Sequence, residues 1–196
     1  MSDLNYSLHI EEVRTDQYGH LVSFPNLDVF SFPLKHRVPT LGYKFVEKAH
    51  QYNVDKEAIA EYDLTVEEIK LIKKGQDIER DQITLKSEDL ILSKRRKRSF
   101  AYCSDTVYDA CIVGYVSGVD LLYHEATYTH DMEKKAKLRM HSTAFQAATI
   151  ASKAQVKRLL IGHYSSRYKD LSPLIEEARD VFPDSELALE GRIIPV

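Results

Sequence analysis

The 196-residue sequence predicts an α/β domain with a mixed sheet, helices on its outer face and a helical insertion near its middle. Three observations carry that reading. From Ser99 onward, short apolar strands alternate regularly with helical stretches, as in parallel α/β units. Before residue 47 the pattern is strand after strand, with β-branched and aromatic residues in short runs. Between the two, residues 50–97 turn helical and then polar, so the strand pattern is interrupted and later resumed.

Each element has its own signal. Residues 6–13 and 21–24, divided by Asp16, Gln17, Tyr18 and Gly19, read as a hairpin. Residues 26–34 alternate, with Leu27, Val29 and Phe30 or Phe32 as inward candidates, and 41–46 form another short strand. His36 therefore lies in a connection, where Pro39 disfavours helix for the residue before it. Residues 56–62 and 65–73 are helical in composition. Thr65 followed by Glu68 is a capping-box pair, and Gly75 stands where a helix terminator belongs. Residues 77–97 read as polar apart from Leu90, Ile91 and Leu92, so 50–97 is expected to be an insertion outside the core. Residues 100–103, 119–123 and 156–161 are strands. Residues 143–153 form an Ala-rich helix that Ser142 or Thr143 can cap, and 172–182 an amphipathic helix with Pro173 in its first turn. Leu187 and Leu189 begin a last strand that runs into Ile193.

Composition excludes several classes. A net charge of −3 rules out a uniformly basic nucleic-acid glove, so any RNA contact has to be local. The run Lys94, Arg95, Arg96, Lys97, Arg98 reads equally as a solvated loop or as a phosphate contact. No apolar run approaches the ~18 residues of a membrane span. The first residues lack the order of a secretory signal, so a cytoplasmic location is expected. Cys103 and Cys111, eight positions apart, match no zinc or redox spacing and are expected to be buried free thiols.

The polar residues fall in a pattern. Three strands end in Ser104-Asp105-Thr106, His124-Glu125 and Gly162-His163; His141-Ser142-Thr143 precedes the Ala-rich helix, and His36 follows a strand. In α/β sheets sites gather beyond the carboxyl ends of strands, and zinc takes imidazole and carboxylate together. A lone His at a strand end is nevertheless more often a satisfied surface or core residue, and nothing singles out His9, His20, His50 or His130. Asp105 also fits as a turn cap and Glu125 as a loop acid. With no HExxH, HxH or CxxC, spacing supports only an α/β protein with a possible metal site.

The strings themselves say more. Ser104-Asp105-Thr106, His124-Glu125-Ala126-Thr127, His141-Ser142-Thr143 and the run Gly162, His163, Tyr164, Ser165, Ser166, Arg167 resemble, in this order, the C-terminal motifs of ribonuclease Z. That family is the tRNA 3′-processing branch of the metallo-β-lactamase fold. His36 to Tyr43 resembles the segment carrying its middle metal-binding His before a GY strand. The resemblance implies the C-terminal part of an αββα sandwich. It implies zinc ligation by His36, by Asp105 as the carboxylate bridging two ions, and by His163. It further implies a proton relay of Glu125 and His141, precursor tRNA as substrate, and a homodimer. Arg167, on the His163 loop, is a candidate phosphate contact.

Two departures from the family pattern generate expectations. No HxHxDH occurs, since no two His are two apart. The chain, residues 1–196, is thus expected to be one partial domain lacking an N-terminal half. It should have a bare inner sheet face, bind zinc weakly, and be inactive or nearly so alone. Residues 50–97 occupy the slot of the family's tRNA-binding arm without its Gly-Pro-rich hairpin; Lys70, Lys73 and Lys74 there fit a phosphate-facing or a solvated helix face equally. The alternative function is a non-catalytic dimerisation or RNA-binding module derived from the same fold.

Overall fold

A computed structural model describes residues 10, 12–48, 52–80, 83–92 and 96–196. In chain order these form β1 (Gly19–Ser23), β2 (Leu27–Leu34), β3 (Thr40–Glu47), α1 (Lys56–Glu61), α2 (Val66–Ile72), β4 (Ile78–Arg80) and β5 (Ile83–Leu85). They continue with β6 (Ser99–Cys103), α3 (Ile112–Tyr115), β7 (Leu121–Glu125), α4 (Glu133–Arg139), α5 (Ala144–Ala154), β8 (Arg158–Gly162), α6 (Ser172–Val181) and β9 (Ser185–Leu187). Two units result: Glu47–Lys97, and Met1–Val46 with Arg98–Val196.

The larger unit is built on a seven-stranded mixed sheet of order β1-β2-β3-β6-β7-β8-β9. β1 pairs with β2 and β3 with β6 antiparallel, whereas β6 through β9 run parallel. The hairpin therefore joins β1 to β2, closed by the Phe24 N–H on the Leu27 carbonyl at 2.7 Å. Of the hairpin expected from residues 6–13 and 21–24, most of 6–13 lies outside the described residues.

The parallel strands are apolar because helices cover them. Ala101, Cys103, Leu122, Leu159 and Ile161 share a core with Ala147, Ala148, Ala151 and Ala154 of α5 and Leu174 and Ala178 of α6. Alanines let α5 sit close to the sheet, and a capping box of Thr143 and Gln146 fixes where it starts. The opposite face carries stacked aromatics, Phe45 on Phe100 and Tyr102 on Tyr123. Two glycines admit this packing: a β-carbon at Gly42 would collide with the Phe32 ring, and one at Gly162 with the Tyr123 ring. Of the expected bare face, the described residues show an aromatic surface, with Tyr102 38% exposed.

Several expectations need correction. The short helices α3 and α4 carry no apolar stripe long enough to announce them; Leu138 of α4 is 79% exposed. β9 stops at Leu187, and Ile193, expected in that strand, is exposed. Cys103 is buried, which pushes its thiol pKa up, but Cys111 is exposed.

The smaller unit has its own core of Val54, Ala58, Leu64, Ile72, Ile78, Leu85 and Leu90. The Thr65–Glu68 capping box forms as the sequence indicates, and Arg80 holds the Glu68 carboxyl down to about 2. Residues 77–97 are not merely polar. β4 and β5 pair antiparallel, with Ile78 opposite Leu85. Among the described residues, no helix is long and apolar enough to cross a membrane.

Candidate active site

The site forms where loops leave the carboxyl ends of β6, β7 and β8, and Thr106 ties several of them together. Its N–H donates to Glu125 Oε1 at 3.0 Å, its carbonyl accepts the Ser142 hydroxyl at 2.7 Å, and its Oγ1 accepts the Lys35 N–H at 3.1 Å. Each partner is a site residue or sits next to one, so one buried threonine fixes Asp105, His36, Glu125 and His141 relative to each other.

Glu125 is fully buried yet well satisfied. Oε1 also accepts from His141 Nδ1 at 2.8 Å, and Oε2 accepts from the Thr127 N–H at 3.1 Å and the Thr127 hydroxyl at 2.7 Å. Burial, the largest single influence, pushes its pKa up. The bonds from His141, Thr127 and Thr106 together outweigh it and hold the carboxyl below its ordinary value. The same bond to Glu125 raises His141, outweighing desolvation. The pair is thus an ionised carboxylate backing an imidazole that holds a proton readily.

Thr127 links Glu125 to His163. Its hydroxyl proton goes to a carboxylate that only accepts, so the Oγ1···His163 Nδ1 contact of 2.9 Å is a bond donated by the His163 N–H. His163 follows β8 in a left-handed conformation, φ 60°, which a non-glycine residue adopts at a cost. The flanking chain is pinned by Ala126 N–H to the Gly162 carbonyl and Ser165 N–H to the Thr127 carbonyl. A strained residue so held is a common feature of functional sites.

His36 donates through Nδ1 to the Met140 carbonyl at 2.9 Å, and Met140 is itself the left-handed cap of α4. His36, His141 and His163 form a row, with neighbouring ring centroids 5.3 and 5.2 Å apart. Asp105 Oδ1 lies 3.4 Å from His163 Nε2. The structure thus brings together all five residues singled out as metal ligands or catalytic groups. Arg167 lies at the rim, its guanidinium 5.8 Å from the Tyr128 ring centroid, with His141 edge-on to that same ring.

The donor set suits a zinc ion. Each imidazole has Nδ1 engaged by the protein and Nε2 left available, the arrangement in which an outer partner orients a metal-binding histidine. Donor atoms of Asp105, His141 and His163 lie within 4.8 Å of one another.

Other residues fall elsewhere. His124 points to the helix side of the sheet, buried, with Nδ1 on the Glu125 carbonyl at 2.7 Å. His20 contacts Ser23, and His130 packs on Phe145. His9 and His50 lie outside the described residues. Sequence reasoning missed Thr106 and Thr127 as positioning groups, although both stand inside quoted motifs. It also missed the basic helix α4, where Lys134, Lys135, Lys137 and Arg139 immediately precede His141, a run visible in the sequence.

No family model matches the chain. It is 40% identical over 194 residues to the ribonuclease Z of Parabacteroides distasonis, covering 98% of this chain and 64% of that relative. It is 40% identical over 186 residues to the ribonuclease Z of Porphyromonas gingivalis, covering 94% and 61%. The chain spans about three-fifths of the length of the curated relatives it matches. Among solved structures, the metallo-β-lactamase fold protein YhfI of Bacillus subtilis superposes with a TM-score of 0.59 at 16% identity, over 92% of this chain and 53% of that one. Human short-form tRNase Z does so with 0.55 at 24% identity, over 91% and 47%. The chain therefore has the metallo-β-lactamase fold and, along nearly its whole length, is related in sequence to ribonuclease Z.

Proposed function

We propose that the chain supplies the C-terminal share of the active site of a zinc-dependent endoribonuclease that removes 3′ trailers from precursor tRNA. The observation that carries this reading is the convergence of the Glu125–His141 pair with Asp105, His163 and His36 at one sheet edge.

In this reading His36, Asp105 and His163 would hold the zinc. Zinc there supplies Lewis acidity toward the phosphate oxygens and acidifies water. As a water oxygen bonds to phosphorus and the P–O3′ bond breaks, His141, with Nδ1 held on Glu125, would donate its Nε2 proton to the leaving ribose oxygen, giving a 3′-hydroxyl on the tRNA and a 5′-phosphate on the trailer. Glu125 stays ionised and stabilises the imidazolium before that transfer. Arg167 meets a substrate phosphate at the rim, and α4 extends a cationic path beside His141.

Three donors shared between two ions fall short of the three protein ligands a catalytic zinc ordinarily has. The remaining ligands are therefore assigned to the further length that the relatives possess, and the chain alone is expected to be inert. The same further length is the proposed cover for the aromatic sheet face. Residues 50–97 are proposed to act as the tRNA-gripping insertion, and a cytoplasmic homodimer as the working form.

The test joins this chain to the preceding portion of the Parabacteroides distasonis relative and measures multiple-turnover cleavage of a precursor tRNA. Activity is expected, falling by about 10²–10⁴-fold in His141→Ala, with none from the chain alone. A folded, zinc-loaded chimera that binds precursor tRNA without cutting it would favour the non-catalytic module instead.

A further inference from the structure

The metal-binding geometry of this chain differs in one respect from the ligand set just proposed. The donor atoms that cluster belong to Asp105, His141 and His163; His36 is not a member of that group. His163 Nε2 and Asp105 Oδ1 are already 3.4 Å apart, which matches the edge, about 3.4 Å, of a tetrahedron with zinc–nitrogen and zinc–oxygen bonds of ordinary length. The third donor, His141, has Nδ1 on a fully buried carboxylate, the carboxylate–histidine arrangement that makes an imidazole a firm ligand. His163 is oriented likewise by Thr127, so two imidazoles and one carboxylate present donors from three loops. None of the three is buried, which leaves the position open to an ion from solution.

We propose that this chain by itself binds a single divalent cation of the zinc class through Asp105, His141 and His163, with His36 outside the coordination sphere. The proposal rests on the reading of this cluster as metal-binding, but not on the nuclease assignment. Its consequence is specific: the imidazole required as the proton donor is occupied as a ligand. The isolated chain is then silent for two reasons, too few ligands and a sequestered acid.

The test is calorimetric titration of the chelator-stripped 196-residue chain with Zn2+, repeated with Co2+ while following its visible absorption. One ion per chain is expected. His141→Ala should weaken binding by more than the about 10–100-fold that loss of an outer partner costs, and His36→Ala by about threefold or less. Because His141→Ala also removes a buried ion pair, the unsubstituted chain is read independently. Zinc should shift the Nε2 resonances of His141 and His163 in 15N spectra and leave that of His36 in place. If His36→Ala abolishes binding and His141→Ala does not, or zinc shifts His36 and not His141, the three-ligand assignment is wrong while the zinc reading stands. If the chain binds no ion, both this assignment and metal binding by the isolated chain are lost. Neither result depends on cleavage of RNA.

Discussion

Replacing Thr127 by valine removes one hydroxyl and nothing else of comparable size. That hydroxyl donates to the fully buried Glu125 carboxylate at 2.7 Å and accepts from His163 Nδ1 at 2.9 Å. A hydrogen bond to a charged group is worth about 1.5–3 kcal/mol net. Valine fills the same volume, so no cavity is added. The Thr127 backbone N–H stays on Oε2 at 3.1 Å, which keeps that oxygen partnered and places the cost near the lower part of the range. About 2 kcal/mol translates to a melting point lower by roughly 4–8 °C for a chain of this size. His163 loses the group that orients it, so zinc affinity should fall about 10–100-fold, and Thr127→Ser should restore both. The assay is thermal unfolding followed by circular dichroism in chelator, then zinc titration. A valine variant that melts within about 1 °C of the parent and binds zinc equally well would refute the relay from His163 through Thr127 to Glu125.

Three further outcomes follow from the same structure. His141 is raised above its ordinary 6.5, so its contribution is complete below that value and lost as pH rises through the raised one; Glu125 is lowered below its ordinary 4.5, so its contribution is present above that value and lost as pH falls through the lowered one. The melting difference between the chain and His141→Gln in chelator should therefore be largest between 4.5 and 6.5 and shrink on both sides. Gly42→Ala should cost about 1–3 kcal/mol in urea unfolding, because its β-carbon meets the Phe32 ring within the core. A thiol reagent should label Cys111 in the folded chain and Cys103 only on unfolding, which mass spectrometry of the labelled peptides would read.

What the sequence made legible follows from what was local. β6 and β8 are short apolar runs ending in polar motifs, and α5 starts at the threonine that caps it, so pattern alone located them. The pairing of β1 with β2 was less legible, because pairing is a long-range property and Pro25 in the turn between them was its one local signal. α4 was hidden because its surface residues give no apolar period, and its end is set by Met140 in a left-handed conformation that favours glycine. The pairing of β4 with β5 was hidden because each strand has three residues. At the site, residue identity was readable from the motifs, whereas the connections through Thr106 and Thr127 were not, since a threonine hydroxyl shows no partner until the loops are assembled.

The most direct measurement is the proton position on three imidazoles. Long-range 1H–15N correlation spectra of the chelator-treated chain in alkaline buffer should show His36, His141 and His163 all as Nδ1–H tautomers. The acceptors are the Met140 carbonyl, Glu125 Oε1 and Thr127 Oγ1. His163 or His36 with the proton on Nε2 would contradict the account, because the nitrogen assigned to face a metal would then be blocked.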